Sequence, residues 1–182
     1  SSSPRRREIL AALGLDFTVG GADVDEQRLA NESAGDMVLR LARVKAETGA
    51  PADDFVVIGA DTAVVLGDEV FGKPRGRDDA LDMLARLSGR THQVLTGVAV
   101  RADRETGVVV SNTDVRFREI SPDEALAYWQ SGEPVDKAGA YAIQGKGGVF
   151  VEAINGSYSG VVGLPVFETV ALLRQAGVRV LG

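Results

Sequence analysis

Phe55-Val56-Val57-Ile58-Gly59-Ala60-Asp61-Thr62-Ala63-Val64-Val65-Leu66-Gly67-Asp68-Glu69-Val70-Phe71 is the stretch on which the fold turns. Residues 55–58 form a continuous apolar run, the pattern of a strand buried in the centre of a sheet. The run ends in Gly59-Ala60-Asp61-Thr62, which places Asp61 at a strand end, and residues 63–66 continue as strand. Gly67-Asp68 reads as a hairpin turn into a short strand at 69–71. A hairpin set among helices excludes a purely parallel sheet.

The flanking sequence supplies those helices. Ser3 and Pro4 cap and start a helix over 4–13 that Gly14 ends. A polar stretch through Asp25, Glu26 and Gln27 precedes a helix over 35–47, where Lys45 falls on the apolar stripe of Val38, Leu41 and Ala42. After the loop Gly72-Lys73-Pro74, a helix over 78–87 carries Ala80, Met83, Leu84 and Leu87 on one face. Strands over 93–101 and 108–118, separated by a polar stretch at 102–107, read as an antiparallel pair. Ser121-Pro122-Asp123-Glu124 is a capping box opening a helix to 130. A strand over 149–154, a tight turn at Asn155-Gly156, a helix from Pro165 to Gly177 and a last strand over 178–181 complete the chain. The expected fold is mixed α/β, with a mixed, twisted central sheet flanked by helices. With no repeat or linker, one domain over 1–182 is expected.

Composition narrows the chemistry. Twenty Lys plus Arg against 26 Asp plus Glu give a formal charge of −6, with no cysteine and one histidine. Disulfides, thiolate zinc sites and Cys nucleophiles are therefore excluded, and a site needing several histidines cannot be built from one chain. Carboxylates, Lys, Arg, hydroxyls and hard metal ions remain. At 45% hydrophobic and 25% charged residues the chain is globular rather than disordered. No apolar run approaches the ~20 residues of a membrane span, and the N-terminus lacks the apolar core of a signal peptide, so no membrane partner and a cytoplasmic address are expected. A pI near 4.9 opposes a broad nucleic-acid surface yet permits a local basic cluster for a small anion.

Four places could carry chemistry. Arg5 and Arg6 lie in a first helical turn, where the dipole favours acids, so an anion between them would resolve the conflict; an exposed basic turn is the alternative. Asp61 could hold a hard metal, activate water or cap its own turn. Lys45 and Lys73 suit phosphate as mobile point charges, or are a snorkelling and a solvated lysine. The small residues over 136–148 would let a ligand approach the backbone, with Gln144 able to read a base edge, or form a flexible loop; neither a Walker nor a Rossmann pattern is present. His92, at a strand entrance, reads as a structural histidine satisfied by backbone groups.

Taken in order, Ser1-Ser2-Ser3-Pro4-Arg5-Arg6, Glu32-Ser33, Leu41-Ala42-Arg43-Val44-Lys45-Ala46, Gly59-Ala60-Asp61-Thr62, Gly72-Lys73-Pro74, the run from Leu87 to Gly97, the run from Asp136 to Gly145, Ile154-Asn155-Gly156-Ser157-Tyr158 and Val161-Val162-Gly163-Leu164-Pro165 resemble the Maf family of nucleoside triphosphate pyrophosphatases. The family opens with a strand of which residues 1–6 resemble the tail, so leading residues are expected to be missing; Ala142 stands where Gly is common. The resemblance implies two lobes with an active-site cleft, a possible homodimer, and metal-assisted hydrolysis of a nucleoside triphosphate to the monophosphate and pyrophosphate. It implies Asp61, Glu26 and Lys73 as catalytic residues, Asp61 and Glu26 as ligands of Mg²⁺ or Mn²⁺, and Ser1, Arg5, Arg6, Lys45, Thr62 and Gln144 as substrate contacts. Arg5, Thr62 and Gln144 match positions linked to base choice and resemble the dTTP and UTP type. The alternatives are the 7-methyl-GTP subgroup and a nucleotide-binding regulator of septum formation.

Overall fold

The computed structural model describes residues 3–21, 23–49 and 55–181; the expected substrate contact Ser1 lies outside them. In chain order the elements are α1 (Pro4–Ala12), α2 (Ala34–Thr48), β1 (Val57–Leu66), β2 (Glu69–Phe71), α3 (Arg77–Leu87), β3 (Thr91–Ala102), β4 (Glu105–Phe117), α4 (Pro122–Gln130), β5 (Val151–Asn155), α5 (Tyr158–Val162) and α6 (Val166–Gln175). Helix α1 starts at Pro4 with Ser3 in the N-cap position but without the expected side-chain cap hydrogen bond, whereas α2 and α4 are capped by serines. Ser33 accepts from the Asp36 amide, and Ser121 and Glu124 close the expected capping box. Among the described residues no helix is long and apolar enough to cross a membrane.

The sheet order is β2-β1-β3-β4-β5, and every pairing is antiparallel. This corrects the mixed sheet expected from the sequence. Helix α3 delivers β3 to the side of β1 away from β2, where it runs against β1. The strands parallel to β3 are β2 and β5, and neither is its neighbour. Two other expectations change. Phe55 and Val56 are exposed and precede β1, which passes through Gly59-Ala60-Asp61-Thr62 without a break, so Asp61 lies within a strand, not at its end. Residues 178–181 form no strand; Val178 N–H closes onto Leu173 O at 2.9 Å and Val180 is buried against α6.

Alternation along β1 sorts its side chains onto two faces. Gly59, Asp61 and Ala63 face α2, where Met37, Val38 and Leu41 pack on Ala63. Ala60, Thr62 and Val64 face the other helical layer. There Ala60 joins Val98, Leu164 and Leu172 in one apolar cluster, while Val64 joins Leu84, Phe117 and Phe150 in a second.

Two glycines set the depth of α2. A Cβ on Gly59 would lie 2.1 Å from Ala42 O, and one on Gly97, opposite Asp61 in the ladder, 2.3 Å from Val38 O. Both are too close for any side chain, so the helix backbone sits in a notch cut by absent side chains. Gly59 is thus a packing residue rather than the turn residue its neighbours suggest.

Candidate active site

Strand β2 pairs only with Val64–Leu66 of β1. Along the outer edge at 57–63 no paired strand lies among the described residues. A cleft of about 1900 Å³ follows this edge, lined by Arg5, Arg6, Glu26, Lys45, Asp61, Thr62, Lys73 and Gln144. Residues far apart in sequence, expected singly or by resemblance, are therefore gathered in one place. Of the expected set only Ser1 is outside the description.

The centre is an acid–ammonium–acid cluster. The glycine notch brings the fourth turn of α2 over β1, and Lys45 Nζ donates to Asp61 Oδ1 at 2.7 Å and to Glu26 Oε1 at 2.6 Å. Asp61 is enclosed, its side chain 14% exposed, while Glu26 is half open at 52%. Burial raises the Asp61 carboxyl above its ordinary value, outweighing Lys45 and Arg6, which pull it down. Glu26 moves the opposite way because the Lys45 hydrogen bond favours its charged form. The Lys45 stem completes the apolar stripe of α2, but its head is an ion-pair partner inside the cleft rather than a snorkelling charge at a solvent edge.

The two carboxylates also define what metal could fit. Both converge on one point, now marked by the Lys45 ammonium, and no group of three or more Asp, Glu, His or Cys side chains placed to hold a metal ion occurs among the described residues. A hard divalent ion held by one or two carboxylates and completed by phosphate oxygens matches this donor set.

Cations surround the cluster. Arg6 leaves the first turn of α1 and donates from Nε to Gly163 O at 2.7 Å and from Nη2 to Thr62 Oγ1 at 3.2 Å. Burial lowers the pKa of both Arg6 and Arg5, a cost that an anion in the cleft would offset. Lys73 is exposed on the loop after β2, and its charge helps lower Glu26. Asp61 and Thr62, adjacent in sequence, point to opposite faces of β1, so the strand edge divides the acidic centre from the Arg6–Thr62 side.

Gln144 is exposed in a segment held by side chains. Glu133 Oε1 accepts from Tyr128 Oη at 2.7 Å and Gly147 N at 2.9 Å, and Oε2 accepts from Lys146 N at 2.9 Å. Tyr128 Oη accepts from Ala142 N at 3.1 Å. The glycines of this segment serve that clamp. A Cβ on Gly145 would lie 2.3 Å from the Glu133 carboxylate and one on Gly147 2.5 Å from Tyr128 Oη. Protein groups thus take the Cβ positions of Gly145 and Gly147, while Ala138, Ala142 and Gly145 line the cleft beside Gln144.

His92 is 1% exposed and structural, but its partner is a side chain, not the backbone. Nε2 shares a 2.8 Å hydrogen bond with Tyr141 Oη, and the ring packs edge-on to Phe117 at 4.8 Å. Nδ1 has no hydrogen-bond partner among the described residues, and burial holds the imidazole pKa down at about 4.

Glu133, Tyr128 and Thr96 were not indicated by sequence reasoning. A lone polar Thr96 in the apolar run Val94-Leu95-Thr96-Gly97-Val98 is the one readable signal among them.

Residues 1–176 match the family described as Maf-like protein. Proteins called dTTP/UTP pyrophosphatase are close relatives. The one from Hahella chejuensis is 52% identical, covering 99% of this chain and 92% of its own length. That of Myxococcus xanthus is 56% identical over 97% of this chain and 90% of its own, and that of Vibrio parahaemolyticus 50% over 96% and 94%.

Proposed function

The chain belongs to the Maf family, and from that premise we propose that it is a nucleoside triphosphate pyrophosphatase hydrolysing dTTP and UTP to the monophosphate and pyrophosphate. The observation that carries the reading is the Glu26–Lys45–Asp61 cluster set in a cleft ringed by Arg5, Arg6 and Lys73. A triphosphate carries about four negative charges, and these cations offset them.

Asp61 serves as general base. It takes a proton from the water that attacks the α-phosphorus; the bond from that phosphorus to the α–β bridging oxygen breaks, and pyrophosphate leaves with the electron pair. A raised carboxyl pKa improves proton acceptance near neutral pH. Lys45 fixes the positions of Asp61 and Glu26 and balances their charge. Arg6 and Lys73 hold the phosphate chain, with Lys73 offsetting charge on the departing group. Arg5, Thr62 and Gln144 face the base. Mg²⁺ or Mn²⁺, when bound, would be held by Asp61 and Glu26 and would supply Lewis-acid neutralisation of phosphate oxygens. The cleft is then the active-site cleft between two lobes of one domain.

The test is a panel of triphosphates with Mg²⁺ or Mn²⁺. Turnover of dTTP and UTP to monophosphate and pyrophosphate is expected. Release of orthophosphate would remove the reaction assignment, and faster turnover of 7-methyl-GTP would move the protein to another subgroup.

A further inference from the structure

Thr62 and Thr96 are direct cross-strand partners on β1 and β3. Their hydroxyl oxygens are 3.0 Å apart, a geometry in which either could donate. The surroundings remove that ambiguity. Thr96 Oγ1 also lies 2.8 Å from Gly160 O, a carbonyl that can only accept, so the single Thr96 proton points there. Thr96 is fully buried and can then only accept from Thr62. The Thr62 proton is directed inward as a result. Its oxygen accepts from Arg6 Nη2 at 3.2 Å, in keeping with a guanidinium that only donates. The chain Arg6 to Thr62 to Thr96 to Gly160 O therefore has one direction. What Thr62 can offer the cleft is a lone pair and never a proton.

We propose that Thr96 is a positioning residue for base choice, fixing the Thr62 hydroxyl as an acceptor so that the cleft favours a pyrimidine carrying an N3–H and disfavours cytosine. Uracil and thymine present a donor at N3. Cytosine presents a lone pair there, which would face the Thr62 lone pair. The inference deepens the function proposed above and rests on its reading that Thr62 faces the base.

The experiment compares kcat/KM for UTP and CTP in the wild type, T96V, T96S, T62V and the T62V/T96V double variant. The wild type should prefer UTP. T96V frees the Thr62 hydroxyl to rotate, and the UTP-to-CTP ratio should fall by roughly 10-fold, the worth of one well-made hydrogen bond. T96S restores both partners and should restore the ratio. T62V should lower the ratio by itself, and adding T96V should lower it no further. A loss of folding alone would depress both substrates together and leave the ratio in place. An unchanged ratio in T96V, or an equal effect of T96V with and without Thr62, overturns the proposal while the pyrophosphatase reading stands. A wild type inert towards UTP overturns that reading and this inference with it. Should T96V not fold, 3-methyl-UTP, which lacks the N3 proton, tests the wild type directly: turnover equal to that of UTP would overturn the proposal.

Discussion

One part of the cleft stands on regular elements and another on turns. Lys45 comes from α2 and Asp61 from β1, brought together by the glycine notch between helix and sheet, and Thr62 comes from the opposite face of β1. Gln144 instead sits between short 3₁₀ segments at Ala138–Ala140 and Lys146–Phe150, held by the Glu133 carboxylate and buried Tyr128 and Tyr141. The two parts should therefore respond differently to change. Groups that handle charge need fixed distances, which a packed helix and strand supply. A segment without a backbone ladder owes its shape to a few side chains, so its binding and its stability are linked.

Substitutions in the regular wall should remove rate while sparing the fold. Asp61→Asn keeps shape and a hydrogen-bonding group, so its melting temperature should stay near wild type while kcat falls by about 100- to 10,000-fold, as expected for a lost general base. Full activity in Asp61→Asn would exclude it as the base. Lys45→Met keeps the apolar stem but leaves Asp61 and Glu26 without their shared cation. A loss of roughly 100- to 1000-fold in kcat/KM is expected from steady-state kinetics.

Substitutions behind the irregular wall should act through stability and KM. Burial depresses His92 from 6.5 to about 4, so between those values the unfolded chain binds more protons than the folded one. Its contribution is complete above about pH 6.5 and is lost as pH falls towards about 4, amounting to roughly 3 kcal/mol. Urea denaturation of wild type and His92→Gln across this range should show that slope reduced in the variant; parallel profiles would refute it. Glu133→Gln replaces an acceptor of the Lys146 amide by a group that can present a donor there. It should cost about 1 kcal/mol of stability and raise KM for UTP more than it lowers kcat. The reverse split would place Glu133 with the rate-determining groups instead.

Local signals made much of the fold legible. The stripe of Val38, Leu41 and Ala42, the capping box at Ser121 and the Gly67-Asp68 hairpin each carry their own chemistry within a few residues. Long-range facts were not written locally. Gly59-Ala60-Asp61-Thr62 after an apolar run has the composition of a strand end, and only the approach of α2 explains why Gly59 must lack a side chain. The all-antiparallel sheet depends on which side of β1 receives β3, a choice no stretch of sequence encodes by itself. Lys45, Asp61 and Lys73 each had an ordinary alternative when read alone; their family resemblance, rather than their spacing, joined them. Glu133 was hidden because a glutamate beside a glycine and a proline looks like any surface turn.

In the proposed reaction, water attacks the α-phosphorus within the Asp61 cleft. Hydrolysis of UTP in H₂¹⁸O, followed by ³¹P NMR of the products, tests it most directly. Attack at the α-phosphorus puts ¹⁸O in UMP and leaves pyrophosphate unlabelled. Label in the pyrophosphate, or formation of orthophosphate and UDP, would contradict it.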